Sequence, residues 1–185
     1  YNLGEYQKAI EQFDEAIRLD PTRASAYNMR GNAYYDLGEY QKAIEQYDQA
    51  IRLEPANANT YHNRGLAYYY LGQYERAIQD FDEAIRLDPE NVAPYNNRGI
   101  SYKNLGQYEQ AIQNYDEAIR LDPSDALTYT NRGAAYYNMG RYESGIVDIN
   151  EALRLNPQYE YEILWREYIC AELSFAERAQ HGCND

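Results

Sequence analysis

Proline recurs every 34 residues in this chain, at Pro21, Pro55, Pro89, Pro123 and Pro157. Each follows an apolar helical pattern, as in Ile17-Arg18-Leu19-Asp20-Pro21, and proline cannot continue a helix. A glycine stands 17 residues before each proline: Gly4, Gly38, Gly72, Gly106 and Gly140. Glycine after Leu or Met at the end of a helical pattern reads as a left-handed cap. The two marks divide each period into two short antiparallel helices, A and B, predicted at about residues 24–37 and 40–53 in the first complete copy. A stacked array of this kind has no single central core, because each unit buries itself against its neighbours.

The boundaries follow from the period. Residues 1–23 hold half a repeat, a B helix without its A helix. Complete units are 24–57, 58–91, 92–125 and 126–159. Residues 160–185 read as one capping helix, to residue 180, and a frayed tail. Because the chain opens on Tyr1 in mid-repeat, an upstream segment is expected to be missing.

Small residues keep fixed places within the unit. Gly31, Gly65, Gly99 and Gly133 interrupt the A helices, where glycine costs about 1 kcal/mol against alanine. Close approach of the paired helix explains a cost repeated at one position. Ala43, Ala77, Ala111 and Gly145 would face that glycine from the B helices, and Ala16, Ala50, Ala84, Ala118 and Ala152 the following unit. Between them Tyr27, Tyr34, Tyr40, Ile44, Tyr47, Ile51 and Leu53 fall at helical spacing as stacking core.

The set Tyr27, Gly31, Tyr34, Ala43, Tyr47, Ala50 and Pro55, repeated 34 residues on, resembles the tetratricopeptide repeat family over residues 1–159. The resemblance implies an all-α, right-handed superhelical solenoid of stacked antiparallel helix pairs. It also implies that A helices line a concave groove and that the function is protein binding. Two departures stand out. Arg30, Arg64, Arg98 and Arg132 occupy a place that is often Leu in the family, so an interhelix pair with a carboxylate such as Asp48 or Glu54 is expected. Glu167 stands where the last A-helix glycine should be, so no B helix is expected to pack closely there.

Residues that vary on the groove face are where recognition can be written. In the first complete unit they are Ser25, Asn28, Met29, Asn32, Tyr35 and Asp36. The second offers Asn59, His62, Asn63, Leu66, Tyr69 and Tyr70. The third offers Ala93, Asn96, Asn97, Ile100, Lys103 and Asn104, and the fourth Leu127, Thr130, Asn131, Ala134, Tyr137 and Asn138. Asn63, Asn97 and Asn131 form a file at one equivalent position, broken by Met29. An amide carries a donor and an acceptor, which suits a peptide backbone. The file is similar to the asparagine ladder in the repeat domain of O-linked N-acetylglucosamine transferase; recent duplication alone would also align it. The predicted binding residues are Asn28, Asn32, Tyr35, His62, Asn63, Tyr69, Tyr70, Asn96, Asn97, Lys103, Asn131 and Tyr137. Relatives that grip chaperone C-termini use Lys and Arg with two Asn. Asn32 and Asn63 match the amides, but Asn28, Ala93 and Asn97 fill the basic places. No chaperone-tail binding is expected, since the carboxylate would lack a cation.

The net charge of −13 disfavours nucleic acid and anionic membrane surfaces as partners. No stretch is apolar enough to span a membrane. Cys170 and Cys183 make no disulfide framework and suit a reducing compartment, so a cytoplasmic location is expected. Neither His62 nor His181 has a nucleophile arrangement beside it, and Cys170, His181 and Cys183 lack the paired spacing of a zinc site. The chain is therefore read as no enzyme, with no cofactor and no metal. Two alternatives accompany the binding scaffold. One is self-association through Tyr6, Ile10, Phe13 and Ile17 or through the C-terminal Ile163, Leu164, Trp165, Tyr168, Ile169, Leu173 and Phe175. The other is an accessory substrate-capture domain of a larger enzyme.

Overall fold

The computed structural model describes residues 3–158 and 160–183. Its helices are α1 (Leu3–Leu19), α2 (Ala24–Asp36), α3 (Tyr40–Leu53), α4 (Ala58–Tyr70), α5 (Tyr74–Leu87), α6 (Val92–Asn104), α7 (Tyr108–Leu121), α8 (Ala126–Asn138), α9 (Tyr142–Leu155), α10 (Glu160–Glu172) and α11 (Phe175–Gln180). No strand occurs among the described residues. The fold is an all-α solenoid of antiparallel helix pairs, and the A and B helices fall where proline and glycine put them. Gly38, Gly72, Gly106 and Gly140 have φ of 72–76°. At the first, Gly38 N–H donates to Tyr35 O at 2.8 Å and Glu39 N–H to Tyr34 O at 2.9 Å. That is a Schellman motif, which satisfies the last carbonyls of the A helix and reverses the chain.

The chain divides into two compact units, Tyr1–Pro94 and Tyr95–Asp185. In the first, α1, α2, α3, α4 and α5 pack in succession around Ala43, Ile44, Tyr47, Ala67, Tyr68, Ala77 and Phe81. In the second, Ala111, Ile112, Tyr115 and Ala135 form one cluster, and Ile146, Ile149, Ile169, Leu173 and Cys183 another. The A-helix glycines answer to a ring. A Cβ on Gly65 would lie 2.7 Å from Phe81, and one on Gly99 would lie 2.6 Å from Tyr115. The last pair differs: Ile149 replaces the ring, and the facing Gly145 brings the two helix backbones together.

The arginines make the expected interhelix pairs, with Asp48 among the acceptors. Arg64 donates to Asp80 from Nε and Nη2, at 2.8 and 2.6 Å, and from Nη1 to Asp48 at 2.6 Å. Arg132 bonds Asp148 and Asp116 in the same way. Arg30 reaches Asp14 and Gln46, so neither Asp48 nor Glu54 is its partner. Arg30, Arg64 and Arg132 each stand sixteen residues after one acceptor and sixteen before the other. Each of these three thus ties the B helix of its own repeat to the B helix before it. Burial opposes the charge on Arg64, and the bonds to Asp80 and Asp48 outweigh burial, so the guanidinium is held more firmly protonated. Burial raises the Asp80 carboxyl despite the Arg64 bonds.

The C-terminal region departs most from the sequence expectation. Residues 160–180 are two helices, because Ser174 opens α11 with a capping box to Glu177. Cys183 lies in the core, joined to Cys170 by a disulfide, in place of a frayed tail and unpaired thiols. Arg166 continues the arginine series. Its Nε donates to Asn150 at 2.9 Å, while its Nη2 donates to the carbonyls of His181 and Gly182. Backbone carbonyls stand there in place of a B-helix side chain. At the other end, Ile10 is buried against α2, and Tyr6, Phe13 and Ile17 are half-buried, so the expected open flank is largely covered. Ile163, Leu164 and Phe175 lie outside the residues whose side chains are described; Trp165 is half-buried and Tyr168 exposed.

Candidate functional site

The A helices α2 and α4 lie side by side in the first unit. Their facing turns bring Asn32, Tyr35, Asp36, Asn63 and Leu66 around a concavity of about 210 Å³, with Tyr47 of α3 at its back. Asn32 Oδ1 accepts from the Tyr47 hydroxyl at 2.9 Å and from Asn63 Nδ2 at 3.1 Å. That sharing leaves Asn32 Nδ2 as a donor and Asn63 Oδ1 as an acceptor toward the concavity. Burial, then Tyr70, Tyr40 and Asp36, push the Tyr35 phenol well above its usual value. Burial, then Tyr35 and Asp36, do the same to Tyr47. Both hydroxyls therefore stay protonated.

Tyrosines form the rim. Tyr40 and Tyr70 stack at 5.1 Å between centroids, and Tyr35 meets each edge-on at 5.5 and 5.7 Å. Tyr69 adds an edge-on contact to Tyr70 and a tilted one to Tyr74. Such edge-on pairs are worth about 0.5–1.5 kcal/mol beyond area burial, so the rim is a packed surface. His62 lies outside the lining, beside Phe81, and burial pushes its imidazole below the usual range. Asn28 turns its Oδ1 inward, where it is buried without a hydrogen-bond donor.

In the second unit the predicted residues are less available. Asn96 donates from Nδ2 to Asp125 at 3.1 Å and accepts from Thr128 Oγ1 at 2.8 Å, so its amide bridges two A helices. Thr130 and Ala134 are buried, not on the groove surface. Asn97 and Asn131 are half-buried, and burial lowers the Lys103 amine. Tyr137 packs edge-on against Trp165 and Tyr168.

Two site features lay outside the sequence prediction. Asp36, on the groove face but not among the predicted binding residues, lines the concavity, and the Tyr47 hydroxyl reaches it from a core position. The signal for Tyr47 was its hydroxyl, since the next unit has Phe81 at the same place. Among the described residues no group of three or more His, Cys, Asp or Glu is placed to hold a metal, and no helix is long and apolar enough to cross a membrane.

Comparison with known proteins bears on the class. No curated protein sequence matches the chain. Its fold is similar to that of MamA from Desulfovibrio magneticus RS-1, at 20% identity over 85% of this chain and 89% of that one, with a TM-score of 0.80. It is similar to YrrB, described as a TPR protein with an unusual peptide-binding site, at 22% identity, 88% and 84% coverage and a TM-score of 0.78. The first TPR of Spaghetti (RPAP3), bound to the HSP90 peptide SRMEEVD, is 25% identical, with a TM-score of 0.60 over 62% of this chain and 90% of that one. The TPR repeat profile matches residues 1–38, 31–72, 65–106 and 101–140, and a second tetratricopeptide repeat profile matches residues 126–159. With these matches spanning its helix pairs, the chain belongs to the tetratricopeptide repeat family.

Proposed function

We propose that the A-helix face binds an extended segment of a partner protein. Protein–protein interaction is the class that the repeat family supports for this chain, and its fold is typically a non-catalytic module. The observation that carries the finer reading is the Asn32–Asn63 pair. It leaves one donor and one acceptor side by side at the concavity, the complement of one peptide unit. Asn97 and Asn131 stand at the Asn63 place in the second unit, half-buried, and Tyr70 in the tyrosine rim, 55% exposed, offers apolar surface for side chains. The complex of a similar protein, the first TPR of Spaghetti (RPAP3), with the peptide SRMEEVD supports the mode.

The experiment is affinity capture with the intact protein and with an Asn63→Ala/Asn97→Ala/Asn131→Ala variant. Partners held by the parent and lost by a variant with the same circular dichroism support the reading. Unchanged capture removes the asparagines from it.

A further inference from the structure

We infer that the concavity beside Asp36 seats one arginine side chain of the partner segment. The inference rests on the peptide-binding reading above and adds the chemistry of one residue. Its volume, about 210 Å³, lies below the roughly 300–1,000 Å³ of small-molecule sites and suits a single side chain. The lining carries a single charge, the exposed carboxylate of Asp36, and no lysine or arginine. Asp36 forms no ion pair among the described residues, and the nearby Arg30 is held by Asp14 and Gln46. Beside this carboxylate the free Asn63 Oδ1 is a second acceptor, and Tyr35 supplies a π face. A guanidinium fits that set. It is planar, carries several donors and no acceptor, stacks on tyrosine, and keeps its charge when partly desolvated. Leu66 takes the methylene stem, and Asn32 Nδ2 is left for a partner carbonyl.

The site also breaks the repeat. At the Asp36 place the later units have Tyr70, Asn104 and Asn138, and at the Asn32 place Leu66, Ile100 and Ala134. Residues that serve the stacking recur; this acid and this amide do not. A net charge of −13 draws a basic segment toward the protein.

The test uses the whole chain, isotope-labelled, and short blocked alanine peptides with a central Arg, Lys, Ala or Glu. Titration is followed by the side-chain amide resonances of Asn32 and Asn63. The Arg peptide is expected to bind about tenfold more tightly than the Ala peptide, with Lys between and Glu weakest. Asp36→Asn, at an exposed helix end, is expected to abolish the Arg preference without altering the fold. Equal binding of Arg and Ala, or a preference that survives Asp36→Asn, overturns the inference. If all four bind equally and Asn63→Ala weakens them, the arginine assignment fails while the peptide-binding reading stands. If none shifts the two amides, both fail.

Discussion

A methyl group on Gly31 would lie 2.6 Å from Cε1 of Tyr47, a ring that is itself 1% exposed. The glycine is the space that the ring fills. Gly31→Ala is therefore expected to destabilise the fold by about 1–3 kcal/mol through overpacking, although alanine is the better helix former. Urea unfolding would measure it. A double-mutant cycle with Tyr47→Leu should show the two substitutions coupled, because the smaller side chain makes room for the methyl.

Arg64 and Asp80 give a sharper test. Arg64→Met leaves the carboxylate of Asp80, 5% exposed, without its guanidinium and is expected to cost about 3–5 kcal/mol. Asp80→Asn is expected to cost much less, since Asn114 and Gln46 accept from Arg98 and Arg30 at the same place in other units. Arg18→Met, at an ion pair with Glu15 that is exposed on both sides, should leave the unfolding midpoint unchanged. Equal losses for Arg64→Met and Asp80→Asn would refute this account of the clamp.

His62 predicts a pH dependence. Burial depresses its folded-state pKa below the ordinary 6.5, so the unfolded chain takes up the proton first. The stability it contributes is complete above about pH 6.5 and is lost as pH falls through the depressed value. Comparing urea midpoints at neutral and mildly acidic pH, the parent should lose more than His62→Asn. Identical losses would contradict the burial of a neutral imidazole.

The disulfide between Cys170 and Cys183 closes a short loop around α11. Reduction is expected to cost about 2–4 kcal/mol and to raise hydrogen exchange in α10 and α11 first. Cys170→Ser with Cys183→Ser should show that exchange without reductant and should not respond to reductant. Unaltered exchange after reduction would mean that Leu173 and the Arg166 bonds alone hold the segment.

The peptide SRMEEVD, bound by the first TPR of Spaghetti (RPAP3), is expected to give no measurable heat with this protein. The basic places hold Asn28, Ala93 and Asn97, so a terminal carboxylate meets no cation there, and Asp36 repels acidic side chains. Micromolar binding by calorimetry would refute it.

What the sequence exposes and what it hides divide along physical lines. Helix ends were readable because proline and glycine act on their own backbone, and Gly38 and Pro55 need no neighbour to do so. The need for close packing at Gly31 was readable too, though the ring of Tyr47 was not. Arg64 shows where spacing alone runs out. That the arginine would pair with an acid such as Asp48 was clear, but the partners lie on two different B helices, and only packing adds Asp80. At the C-terminus a single helix would hold Cys170 and Cys183 about 20 Å apart at 1.5 Å per residue. The stretch Ser174-Phe175-Ala176-Glu177 is a capping box and was the available sign of the break. In the candidate site, Asn32 and Asn63 were legible as amides, yet their mutual bond, which decides what remains for a partner, exists only once α2 and α4 are side by side.

The double grip of Arg64 bears on how such a chain can be inherited. A block cut between residues 57 and 58 takes Arg64 and Asp80 together but leaves Asp48 behind. The cut leaves one guanidinium arm unmet on one side and one carboxylate on the other, whereas blocks copied in tandem meet at the seam. Duplication of whole 34-residue blocks thus repairs its own junctions, and a crossover out of register does not.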